Sequence, residues 1–181
     1  MLYNPTFPTE LEQLFHQAAT PERLFAELMP TLGELLKCDR CFLYLRDPQT
    51  RYGRVTHCWR RSDTYPDVSD PDWQQEEPSE LEAQDPLFAA ALRAENSIFV
   101  EDVETADSDT LNLEFEQRVF GHRALVHAHI TKDDQLWGIL QPCVFERPRP
   151  WIMFDRSIII HTTQKLVPFV REYVQQHSPS D

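Results

Sequence analysis

Hydrophobic positions recur at helical spacing near both ends of the chain and alternate, or run unbroken, through its middle. Leu11, Leu14, Phe15 and Ala18 predict a helix over residues 10–18. Thr20 followed by Pro21 reads as a cap and a first turn. It opens an amphipathic run through Leu24, Phe25, Leu28, Leu32, Leu35 and Leu36 that reaches about residue 37. Pro30 lies inside that run and is expected to kink it or split it in two. Residues 41–45 and 53–59 read as strands, and the turn at 47–50 makes them an antiparallel hairpin. Residues 62–83, rich in Asp, Glu, Pro and Ser, read as a long polar loop of the kind that is usually functional or mobile. Asp85 and Pro86 start a short helix to residue 94, and residues 97–100 form a short strand. Residues 111–119 form an acidic helix whose start is not clearly marked. A second hairpin follows, with strands at 124–130 and 136–144 around a turn at 132–135. A long helix over 154–176 closes the chain, with Pro168 as a kink, and only residues 177–181 read as a loose tail. The order predicts an α+β fold: a central antiparallel sheet of about five to six strands, with N- and C-terminal helices packed on one face.

Composition narrows the function. A chain of 181 residues fits a single domain spanning 1–181 with a core of about 11–174, long enough to bury a real interior. Its net charge of −13 disfavours binding to a phosphate backbone, since Arg60-Arg61 and Arg147 with Arg149 are the only basic clusters. No run approaches the ~20 apolar residues of a membrane span. Met1-Leu2-Tyr3-Asn4-Pro5 lacks the basic and apolar stretches of a secretion signal. Cys38, Cys41, Cys58 and Cys143 therefore read as reduced thiols in a cytoplasmic protein.

The block from Leu136-Trp137-Gly138-Ile139-Leu140 through Pro148-Arg149-Pro150-Trp151 resembles the LWGLL…PR.W signature of GAF domains in phytochromes and related cyanobacterial photoreceptors. Asp39-Arg40 resembles that family's DR at the first strand. Asp70-Pro71-Asp72-Trp73 and Asp85-Pro86-Leu87-Phe88 resemble its middle region, and Phe120-Gly121-His122-Arg123-Ala124 resembles its FGVRA segment. The resemblance covers residues 11–174 and implies the GAF or PAS type of α+β fold. In bilin-binding members a Cys-His pair precedes FGVRA. A gap-free count back from Phe120 places Asn112-Leu113 there, and Asn112 has no thiolate to attack a bilin. The slot of a pocket histidine after LWGLL is held by Cys143. A bilin held by the family's usual cysteine is therefore not expected, and the cofactor stays unknown.

Other groupings carry two readings each. Cys38 and Cys41 have C-x2-C spacing but no second pair, so core packing stands beside half a zinc site. No metal site is assigned. His127 and His129 share one face of a strand; ordinary packing and a place in a ligand cavity near Cys143 both remain open. Arg147, Arg149 and Trp151 could bind an anion or anchor the last helix. No GxSxG, HExxH, P-loop or GxGxxG motif occurs, and no catalytic residue is assigned. The paired-cysteine motif of the family's methionine sulfoxide reductase is not recognised either.

The leading expectation is a non-catalytic, stand-alone regulatory or sensory domain that binds a small molecule or a protein partner and signals through another protein. The alternatives are an adaptor or assembly factor that has lost its ligand, a tetrapyrrole or heme protein without the usual attachment, and a thiol-based redox protein. The pocket candidates are His127, His129, Cys143, Trp137, Asn112 and Phe115. A cavity filled by Phe99, Phe115, Trp137 or Phe145 would favour the adaptor; an open one near the histidines would favour sensing. A homodimer through the terminal helices is expected, because their apolar stripes would otherwise face water.

Overall fold

The computed structural model describes residues 7–77 and 80–180, so the expectation for Met1 to Pro5 lies outside the described residues. Helix α1 is Thr9–Gln17 and α2 is Pro21–Leu35; strands β1 (Arg40–Arg46) and β2 (Tyr52–Arg60) follow. Then come β3 (Gln74–Gln75), α3 (Glu80–Gln84), α4 (Pro86–Leu92), β4 (Ile98–Val100) and α5 (Leu113–Val119). Strands β5 (Ala124–Lys132) and β6 (Gln135–Val144) lead into α6 (Met153–His177). The strands form one six-stranded sheet in the order β3-β2-β1-β6-β5-β4, antiparallel throughout.

The main core lies where α1, α2 and α6 cover one face of this sheet. Leu24, Phe25, Leu28 and Leu32 of α2 meet Cys41, Leu43 and Leu45 of β1, and Ile158, Ile159, Leu166 and Val170 of α6 meet Val126, Ala128 and Ile130 of β5. Burial of this stripe carries α2 on past Pro30, so the helix is not split there. The proline removes one backbone donor, and tertiary packing outweighs that loss.

The expected polar loop is not structureless. Gln74 and Gln75 pair with Gly53 and Tyr52 to form the edge strand β3, and α3 occupies its far end. Two charged side chains hold it down, neither visible in a local pattern. Arg40, fully buried between Phe42 and Phe145, donates from Nη1 to the Pro66 carbonyl at 2.9 Å. Arg46 forks onto the Glu76 carboxylate at 2.7 and 3.0 Å, and the Tyr44 hydroxyl donates to the same group. Gly53 makes room for this arrangement, because a Cβ there would collide with the Tyr44 hydroxyl.

Two further details aim side chains. At the β5–β6 turn Asp133 and Asp134 both have positive φ (53° and 58°), the geometry of a two-residue type I′ hairpin. One step beyond, the register slips so that Ile130 faces Gly138 but Thr131 faces Leu136, leaving Trp137 as the extra residue of a bulge. The bulge turns Trp137 into the helix-covered core, where the Arg171 guanidinium lies 5.4 Å from its ring centroid. The loop after β6 anchors α6: Trp151 Nε1 donates to the Val100 carbonyl at 3.0 Å, and Asp155 accepts from the Ile152 N–H at 3.1 Å and from Arg149.

Candidate functional site

The face of the sheet away from the long helices is only partly covered, and the gap is a cavity of about 560 Å³. That volume is typical of small-ligand sites. Its floor is built by alternation along the strands: Phe42 and Tyr44 from β1, His127 from β5, Ile139 and Gln141 from β6. Phe88 of α4, Phe115 and Val119 of α5, and the following Phe120 make an aromatic wall. The 67–74 segment, held down by the Arg40 and Glu76 contacts, closes the remaining side.

Three polar side chains of the wall, Asp85, His127 and Gln141, are buried, while Asp67, Ser69, Asp70 and Gln74 join it from the more exposed 67–74 segment. Asp85 caps α4, accepting from the Leu87 N–H at 3.1 Å. Burial, and after it the nearby Glu116 carboxylate, push its carboxyl up to about 6. Glu116 and the buried His122 meet through one carboxylate oxygen and Nδ1. The Gln141 amide reaches His122 Nε2 at 3.3 Å, so the α5 end of the cavity is tied to β6. On β5, His127 Nδ1 lies 2.9 Å from His129 Nε2, and His129 Nδ1 lies 2.7 Å from the Glu95 carbonyl. Burial holds His127 well below the usual imidazole range, and it lowers His129 too. Both rings are therefore neutral at neutral pH.

His127 and Phe115 line the cavity, and His129 stands one hydrogen bond behind His127. The other three candidates lie elsewhere. Asn112 is the N-cap of α5, its side chain accepting from the Phe115 N–H at 3.2 Å. Trp137 is turned to the opposite face by the bulge. Cys143 is fully buried beside the backbone of Arg40, with Sγ 3.4 Å from its carbonyl, and does not line the cavity. Burial pushes its thiol up to about 12, and it raises Cys38 and Cys41 as well. Such thiols stay protonated and are poor nucleophiles. Among the side chains named as possible fillers, Phe99 packs with the helix-side core and Phe145 stacks on Tyr65 at 4.6 Å, so only Phe115 borders the open volume. No group of three or more His, Cys, Asp or Glu suited to a metal occurs among the described residues. Nor is any described helix long and apolar enough to cross a membrane.

Sequence reasoning marked Asp85 only as a helix cap and passed over Gln141, Glu116 and Tyr44. The alternation along β1 and β6 could have placed Tyr44 and Gln141 on the face opposite Leu43 and Leu140.

The profile of the GAF domain family matches residues 20–164. No curated protein sequence matches the chain. Among solved structures, the GAF domain of an Acinetobacter phosphoenolpyruvate-protein phosphotransferase is similar, with a TM-score of 0.69 at 11% identity over 96% of this chain and 95% of that one. A far-red-absorbing dark state with bound biliverdin IXα gives 0.70 at 14% identity, over 91% and 97%. The blue-light-absorbing PixJ GAF domain of Thermosynechococcus elongatus gives 0.58 at 23% identity, over 93% and 92%. At these identities the likeness is one of fold.

Proposed function

The chain belongs to the GAF domain family, a sensory and regulatory fold, and from that premise we propose that it is a non-catalytic regulatory domain that binds a small molecule in the 560 Å³ cavity and passes the signal to another protein. The carrying observation is the cavity itself: an apolar, aromatic-walled space into which a few buried polar groups converge, Asp85, His127 and Gln141 foremost. An adaptor that had lost its ligand would be expected to fill this space with side chains. Instead, Trp137 lies in the core on the opposite face and Phe145 stacks on Tyr65, and neither lines the space. The reading includes no covalently held pigment, because Asn112 has no thiol and Cys143 sits outside the cavity. Cysteines that are free among the described residues suit a reducing, cytoplasmic setting.

The test is a thermal-shift screen of small aromatic compounds on the wild type beside Val119→Trp. Val119 is exposed at the cavity rim, so a larger side chain there obstructs the opening without repacking the core. Compounds should raise the wild-type midpoint by several degrees and the variant's by far less. Equal shifts in both proteins, or none in either, would overturn the reading.

The same proposal includes a homodimer through the terminal helices. Met153, Phe154 and Ile160 of α6, with the preceding Ile152, are large apolar side chains left open to solvent. A second copy would cover them. The native mass of the particle reads this directly.

A further inference from the structure

We infer that the cavity selects an uncharged or cationic aromatic ligand that donates an N–H or O–H to Nε2 of His127, a choice imposed by a backbone carbonyl on the far side of two histidines. This rests on the cavity being a ligand site and adds the chemical class of its occupant. The Glu95 carbonyl can only accept, so His129 Nδ1 carries the proton across the 2.7 Å contact. A neutral imidazole has one N–H, which leaves His129 Nε2 as an acceptor. The proton of the 2.9 Å contact between the rings therefore sits on His127 Nδ1. His127 Nε2 is then a bare lone pair on a residue of the cavity wall, with no protein partner at hydrogen-bonding distance among the described residues.

Offering an acceptor to that nitrogen would require both rings to exchange tautomers. His129 would then turn a lone pair toward the Glu95 carbonyl, at the cost of a buried hydrogen bond. A donor meets no such cost. His129 is thus a positioning residue, acting on the ligand only through His127. Its own side borders a second hollow of about 430 Å³ between the Glu95–Ser97 segment and α6, so the pair joins the cavity to the outer edge of the sheet.

Charge acts in the same direction. The cavity wall carries Asp67, Asp70 and Asp85 but neither Lys nor Arg among its described residues. Carboxylates and phosphates would meet no counter-charge on the wall itself, since the Arg40 guanidinium stands behind the Phe42 ring, 5.3 Å from its centroid, and desolvation there is costly. A cation would be drawn in, and aromatic faces such as that of Phe88 add to that preference.

Four small probes separate these effects by calorimetric or NMR titration of the full chain. Indole and benzofuran have one shape but differ in the N–H. Tryptamine and indole-3-acetate share the ring but differ in the sign of charge. Indole should bind about tenfold more tightly than benzofuran, the ratio expected of one buried hydrogen bond made against one lost. Tryptamine should exceed indole-3-acetate by at least that ratio. In His127→Phe the preference for indole over benzofuran should vanish, and in His127→Gln, whose amide turns to offer either group, it should fall below about threefold. In the wild type, long-range ¹H–¹⁵N correlations should place the proton on Nδ1 of both rings. Binding of the probes without these preferences, or a proton on Nε2 of either ring, overturns the inference and leaves the cavity reading standing. Binding of none of the four overturns the cavity reading, and this inference with it.

Discussion

Glu76→Ala is expected to cost about 3–5 kcal/mol of unfolding free energy, the range seen when one partner of a buried ion pair is removed. Both side chains of the Arg46–Glu76 pair are only 5% exposed, so water screens the pair little. Without the carboxylate, Arg46 keeps a single acceptor, the Leu136 carbonyl at 3.0 Å, and the Tyr44 hydroxyl loses its acceptor. The loop ahead of Glu76 loses its anchor to the sheet as well. Hydrogen exchange across residues 67–76 should therefore speed up by more than the global destabilisation alone predicts. Urea titration measures the cost. Exchanging both partners for apolar residues, Arg46→Met with Glu76→Leu, should recover most of it, because no uncompensated charge remains. A cost below about 1 kcal/mol for Glu76→Ala, the level of a solvated surface pair, would show that the contact does not hold the loop.

Asp85→Asn is expected to stabilise the chain, and only in neutral and alkaline solution. In the unfolded chain the carboxyl titrates near its usual ~3.9; in the folded chain burial and Glu116 push it up to about 6. A raised carboxyl means that the folded state binds the proton more tightly. The associated stability is fully present below about pH 4 and is lost as the pH rises through 6. Linkage puts that loss at up to about 3 kcal/mol, at ~1.4 kcal/mol for each tenfold change in proton affinity. Asparagine keeps the cap on α4, since its side-chain oxygen can accept from Leu87 as the carboxylate does. It carries no charge to bury. At pH 8 the variant should therefore be more stable than the wild type by about 1–3 kcal/mol, with the difference gone at pH 4. A wild type at least as stable at pH 8 would mean that the carboxylate is solvated or paired in the folded state. A difference persisting at pH 4 would point to an effect other than ionisation.

The sequence made the framework legible wherever one local pattern decided the structure. Thr20 and Asp85 cap helices as their spacing suggests, and the alternation of Val126, Ala128 and Ile130 puts β5 on the correct face. It also marked Asn112 as a residue without sulfur, although not as the cap of α5. The rest depended on partners far apart in the chain. A bulge is invisible to a period-two pattern, so Trp137 read as a residue of the cavity face when the slipped register turns it away. Pro30 read as a kink or a split, and the split fails because helix propensity was weighed without the core that α2 packs against. Glu76 looked like one more acid in a polar loop, and only the fold brings Arg46 and Tyr44 to it. Cys143 stands on the same face of β6 as Gln141, yet one pair of residues along the strand separates a cavity wall from solid core. Spacing placed the two histidines on one face, while the direction of their hydrogen bonds depends on the Glu95 carbonyl from another segment.

Native mass spectrometry of the protein purified from its source tests most directly whether the cavity holds a ligand. The expected spectrum shows a particle of two 21.3 kDa chains carrying additional small-molecule mass that is shed on activation, with that extra mass absent from Val119→Trp. A bare wild-type chain, or the same added mass on the obstructed variant, would contradict the account.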